Sequence, residues 1–121
     1  MTTNVAIIGL GIMGTRMFQH MRKHQEFNPI YLWDPNPASC EKAKKQDSEA
    51  KIMKNADEAI EMADLVYLAC PPTVRKTYAL KTVEMGKALF IEKPFGVNIQ
   101  DSKNFLEKQN VKCELIDLRT I

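Results

Sequence analysis

A chain of 121 residues with 45% apolar and 26% charged side chains can bury one hydrophobic core, which excludes a disordered or fibrous protein. Its formal charge of +2 gives no electrostatic basis for gripping nucleic acid or an anionic membrane.

The pattern then alternates along the chain. Asn4–Ile8 is a short β-branched run and reads as a strand. Ile12–Gln25 follows as a helix, with Met13, Met17 and Met21 at a spacing of four on one face. Ile30–Trp33 is the second strand, closed by the turn sequence Asp34-Pro35-Asn36-Pro37. Ala38–Lys45 reads as a charged helix, Ala50–Met53 as a third strand and Asp57–Met62 as a helix of about two turns. Leu65–Ala69 is apolar throughout, as expected of a strand covered on both faces. Val74–Met85 is a helix ended by Gly86, and Ala88–Ile91 a fifth strand. Asn98 caps a helix running to about Gln109, and Lys112–Arg119 reads as a sixth strand. Strands alternating with helices predict an α/β fold, a parallel sheet covered on both faces. With right-handed crossovers the expected topology is the doubly wound (Rossmann) sheet in the order 3-2-1-4-5-6, spanning residues 1–121 as a single dinucleotide-binding domain.

No run of apolar residues is long enough to span a bilayer. The start of the chain shows no basic segment, long apolar stretch and cleavage site of a secretory leader. Cys40, Cys70 and Cys113 are odd in number and widely spaced, so free thiols in a reducing cytoplasm are expected rather than a disulfide framework.

The first strand runs into Gly9-Leu10-Gly11-Ile12-Met13-Gly14, a G-x-G-x-x-G sequence with a strand before it and a helix after. Gly9 is expected to allow a tight turn, Gly11 to let a pyrophosphate approach the backbone, and Gly14 to let helix and strand pack closely. The start of the helix, at Ile12 and Met13, offers free N–H groups to the phosphates. Asp34 ends the second strand 20 residues after Gly14, where a carboxylate accepts hydrogen bonds from the adenosine ribose. A carboxylate there repels a 2′-phosphate, which favours NAD over NADP. Trp33 beside it reads as a residue filling the core or covering a sheet edge.

The chemistry is expected where the carboxyl ends of strands one, four and five converge. Strand four supplies Cys70 and Pro71, followed by Pro72; the two prolines predict a stiff, extended loop forming a wall of the cofactor site. Strand five supplies Glu92, Lys93 and Pro94. Pro94 keeps Lys93 extended, so that its ammonium can reach a substrate oxygen and stabilise developing alkoxide charge. Glu92 falls on the opposite face and is expected to fix the loop, and it joins Cys70 and Pro71 among the candidate cofactor contacts. His20 and His24 sit four apart on the first helix, a spacing compatible with a metal but lacking an evident third ligand; solvated histidines are expected.

These stretches together, "VAIIGLGIMG", "WDPNP" and "ADLVYLACPPTVRKTYALKTVEMGKALFIEKPFG", resemble the glucose–fructose oxidoreductase / inositol dehydrogenase (Gfo/Idh/MocA) family over nearly the whole chain. The resemblance implies an NAD-binding domain of an oxidoreductase, with a hydride moving between nicotinamide and a sugar, cyclitol or similar polyol. It carries over to Lys93 as the catalytic lysine of the Glu-Lys-Pro motif, and to the glycine loop and Asp34 as cofactor contacts. Family enzymes continue into a second α/β domain, which binds substrate and supplies further acid–base residues. This chain stops before such a domain, so little turnover is expected of it alone. Where relatives often carry a histidine after the prolines, this chain has Arg75, expected to be a solvated residue at the start of a helix or else a contact for a phosphate or acidic substrate. The first 17 residues also resemble the 3-hydroxyisobutyrate / 6-phosphogluconate dehydrogenase group. Two further readings stay open, a non-catalytic dinucleotide-sensing or protein-interaction module and a binder of another nucleotide derivative such as CoA. An uncovered sixth strand would favour a homodimer.

Overall fold

The computed structural model describes residues 2–91. Nine elements follow in order: β1 (Thr3–Ile8), α1 (Ile12–Arg22), β2 (Phe27–Trp33), α2 (Pro37–Gln46), β3 (Lys51–Ile52), α3 (Ala56–Met62), β4 (Leu65–Leu68), α4 (Pro72–Glu84) and β5 (Ala88–Ile91). Every strand pair is parallel, and the sheet order is β3-β2-β1-β4-β5. This is the expected doubly wound order over the five described strands. The predicted sixth strand at Lys112–Arg119 and the helix led by Asn98 lie outside the described residues, as do Glu92, Lys93 and Cys113.

The side-chain alternation of β1 explains why the sheet is covered twice. Ala6 and Ile8 enter one core cluster with Val66, Leu68 and Ile91 and with Ala59, Ile60 and Ala79 of α3 and α4. Val5 and Ile7 enter the other with Leu32, Tyr67 and the α1 and α2 residues Phe18, Met21, Cys40 and Ala43. Successive residues of a strand point to opposite faces, so a run that is apolar at every position needs helices on both sides. The chain moves outward from β1 through β2 to β3, then returns to β4 and moves the other way to β5. Crossovers of one hand therefore place α1 and α2 on one face and α3 and α4 on the other.

Several boundaries differ from the sequence expectation, and the larger differences fall at β2, α1, β3 and α4. β2 starts at Phe27 rather than Ile30, because the strand continues through Pro29 at the cost of a register shift. Asn4 faces Asn28, but Ala6 faces Tyr31. A proline has no N–H for the ladder, and the irregularity falls where it sits. α1 ends at Arg22 rather than Gln25, with Lys23 as its cap. His24 therefore lies beyond the helix, where its Nδ1 accepts from the Glu26 N–H at 3.2 Å and its ring meets Phe27. β3 shrinks to two exposed residues at the sheet edge. α4 begins two residues early, at Pro72, where the first helical position has no use for an N–H and a fixed φ is already suitable. The pair of prolines is thus not one stiff loop. Pro71, at φ −58° and ψ 151°, is the extended cap, and Pro72 is helix.

Asparagines start two of the helices. The Asn36 side chain accepts from the Ala38 N–H ahead of α2, and the Asn55 side chain accepts from the Glu58 N–H at 2.8 Å ahead of α3. Each satisfies a donor that the first helical turn leaves without an intrahelical acceptor. No helix among the described residues is long and apolar enough to cross a membrane.

Candidate functional site at the β1–β4 switch point

β1 is flanked by β2 on one side and β4 on the other. The chain leaves their carboxyl ends in opposite directions, which opens a crevice above the sheet. The β1–α1 turn stands at its centre. Gly9 has φ +102°, a left-handed conformation that strains any side chain. Its N–H donates to the Trp33 carbonyl at 2.8 Å. A Cβ at Gly9 would lie 2.9 Å from the carbonyl carbon of Ala69 and from the Cys70 nitrogen, so the turn rests directly on the end of β4. A Cβ at Gly14 would collide with the Gly9 carbonyl oxygen and stand 3.2 Å from the Ala69 Cβ. Gly9 makes the turn and Gly14 lets α1 pack against it.

Gly11 differs. Its φ of −76° is ordinary, and among the described residues a Cβ there would meet nothing within 4 Å. It is the N-cap of α1 but supplies no capping side chain, and the first turn of α1 holds no acidic residue. Ile12 is 80% exposed and Met13 40%, so the loop leaves its helix start open to the crevice. N–H groups of a first helical turn have no intrahelical acceptor, and the helix dipole favours an anion there. The rest of the turn is braced from behind: the Thr15 hydroxyl donates to the Leu10 carbonyl at 3.0 Å.

Asp34, half-buried just beyond β2, reaches back to this turn. Its Oδ2 accepts from the Leu10 N–H and its Oδ1 from the Asn36 N–H, each at 2.7 Å. The carboxylate is therefore fixed in orientation by the loops on either side of it, beside the glycine turn. Trp33 is half-buried, packs on the α3–α4 side of the core and meets Tyr78 edge-on, with centroids 6.2 Å apart.

From β4, Cys70 is buried and belongs to the core. Pro71, which follows it, is exposed. Burial pushes the Cys70 thiol up from the ordinary range, and the nearby Arg75 cation opposes that push. Arg75 is the clearest departure from expectation. It is 8% exposed rather than solvated, and its Nη2 donates to the Cys70 carbonyl at 2.9 Å. The signal was in the spacing: Arg75, Ala79 and Thr82, the buried residues of α4, follow one another at intervals of four and three, the stripe of a helix face. The Asp34–Leu10 bond was not legible from pattern, because it joins a side chain to a backbone N–H 24 residues away. His20 and His24 lie at the other end of α1. Among the described residues no three His, Cys, Asp or Glu side chains are grouped to hold a metal ion.

Residues 3–114 match the family model described as an oxidoreductase family with an NAD-binding Rossmann fold, GFO_IDH_MocA. The chain belongs to the Gfo/Idh/MocA oxidoreductase family. It is a NAD-binding domain of that family, and a match across most of its length outweighs the likeness of its first 17 residues to the 3-hydroxyisobutyrate dehydrogenase group. An uncharacterised oxidoreductase from Streptococcus pneumoniae serotype 4 is 27% identical over 103 residues, covering 84% of this Gfo/Idh/MocA chain and 27% of that protein. Among the solved structures that share its fold are two inositol dehydrogenases. The myo-inositol 2-dehydrogenase of Lactobacillus plantarum superposes with a TM-score of 0.80 at 21% identity, over 91% of this chain and 33% of the other. The scyllo-inositol dehydrogenase of Lactobacillus casei, solved with NAD(H) and scyllo-inositol, gives 0.79 at 22%, over 95% and 36%. The chain thus spans about a third or less of the length of these relatives.

Proposed function

We propose that this chain is the NAD(H)-binding part of an oxidoreductase that moves a hydride between nicotinamide and a secondary alcohol of a sugar, cyclitol or similar polyol. The observation that carries the dinucleotide reading is the contrast among the glycines. The fold needs Gly9 and Gly14, whereas among the described residues nothing stands close enough to Gly11 to require a glycine there. A bare backbone at an open helix start fits an approaching diphosphate.

In this reading the first-turn N–H groups at Gly11, Ile12 and Met13 hold the phosphate oxygens, and Gly9 and Gly14 keep the turn low enough for them to do so. Asp34, oriented by the Leu10 and Asn36 N–H groups, accepts from the ribose hydroxyls and repels a 2′-phosphate, which favours NAD over NADP. The Cys70 main chain and Pro71 form the wall beside the second ribose. Lys93, with Glu92 fixing its loop, would donate to the substrate oxygen and stabilise its negative charge. The bound nicotinamide supplies the hydride acceptor. The polyol class rests on the family and on the inositol dehydrogenases that share the fold. Residues 1–121 act as one dinucleotide-binding unit.

The test is a titration of the chain with NADH, following Trp33, which stands next to Asp34 and is the sole tryptophan. Saturable quenching with energy transfer to the nicotinamide is expected. Unchanged emission up to millimolar NADH overturns the reading.

A further inference from the structure

Position 75 lies on the buried face of α4 with Ala79 and Thr82, where an aliphatic side chain would satisfy packing. A guanidinium there is costly to desolvate unless its donors are used. Its Nη2 donates at 2.9 Å to the carbonyl of Cys70, the residue whose nitrogen a Gly9 Cβ would touch at 2.9 Å. One short piece of main chain, Ala69–Cys70, is thus held between the glycine turn on one side and Arg75 on the other. The same piece leads into Pro71, the cap that sets where α4 begins. The influence of the cation on the Cys70 thiol is a second sign of how close the two stand.

We infer that Arg75 is a positioning residue, which by holding the Cys70 carbonyl fixes the end of β4 as the wall over which the nicotinamide half of the dinucleotide lies. The inference rests on the dinucleotide reading above. Its logic is spatial: Asp34 places the adenosine half on the β2 side of the crevice, so the other half must cross the end of β4. Loss of the Arg75 bond loosens that end and leaves the Asp34 side alone. A purely structural arginine would instead weaken both halves in parallel.

The experiment measures binding of NADH and of AMP to the full chain by calorimetry, for the wild type, Arg75→Met and Arg75→Lys. Met keeps the apolar stem without the donors, and Lys keeps one charged donor group. The expected result is a Kd for NADH raised about tenfold in Arg75→Met, as for one charge-assisted hydrogen bond, with the Kd for AMP within about twofold. Arg75→Lys should lie between, at about threefold for NADH. If Arg75→Met does not fold, Arg75→Lys carries the same comparison. Equal losses for NADH and AMP, or no loss for either, overturn the role of Arg75 while the dinucleotide reading stands. A wild-type chain that binds neither ligand removes the dinucleotide reading, and this inference with it.

Discussion

Gly11 and Gly14 are three residues apart, and an added methyl meets opposite surroundings at the two positions. At Gly14 it collides with the Gly9 carbonyl oxygen, which belongs to a turn itself pressed against Ala69 and Cys70, so no neighbour is free to give way. Gly14→Ala should cost about 3 kcal/mol or more, a large part of the stability of a small domain, and denaturant melts will show it. At Gly11 the methyl meets no described residue within 4 Å, on an ordinary backbone. Gly11→Ala should therefore change stability by no more than about 1 kcal/mol while weakening NADH binding at least about tenfold. The combination of an intact melt and lost binding is the expected outcome; parallel loss or retention of both would contradict it. The glycine spacing was readable in the sequence because a repeated chemical need leaves a repeated residue. The distinction between glycines that serve packing and one that does not was unreadable, since it depends on what stands across the turn from each Cα.

Helices were legible as elements, but the caps that start α2 and α3, Asn36 and Asn55, were not singled out by the sequence pattern. Asn55 accepts from the Glu58 N–H three residues on, and α3 has only seven residues to share the cost of an open end. Asn55→Ala should lower the unfolding free energy by about 1 kcal/mol, read from urea melts, with Asn55→Ser restoring most of it. Boundaries of both helices and strands were less legible than the elements themselves. β2 was expected to begin at Ile30, yet the strand starts at Phe27 and passes through Pro29 by shifting register, with neighbouring pairs on β1 holding the ladder on both sides. Pro72 looked like loop and became the first turn of α4, where a proline loses nothing by lacking an N–H. Arg75 looked solvated by composition alone. Its place on the Ala79–Thr82 face of α4 decided otherwise, and that face exists only once β4 and β5 are there to cover it.

At the scale of the molecule, two cores on opposite faces of one sheet each contain a buried thiol, Cys40 with α1 and α2 and Cys70 with α3 and α4. Burial raises both above the ordinary thiol range, and burial likewise raises the Tyr78 hydroxyl. The folded state thus holds these protons more tightly than the unfolded one. Their contribution to stability is complete below the unfolded thiol value near pH 9 and is lost as pH rises from there through the raised folded values. Urea midpoints should be level between about pH 7 and 8 and fall above about pH 9. A Cys40→Ala/Cys70→Ala variant should show a shallower fall; an unaltered slope would place the alkaline loss elsewhere. The order of strands, the double covering of the sheet and the glycine turn were all set by the sequence itself, because hydrophobic period, turn residues and crossover handedness act through near neighbours or through rules common to every chain. Contacts between distant segments belong to the tertiary structure alone: the Asp34 carboxylate on the Leu10 N–H, the Arg75 guanidinium on the Cys70 carbonyl, and the space that the described residues leave above Gly11. Each depends on loops from separate strands meeting at one end of the sheet, and no local pattern records which atoms face each other there.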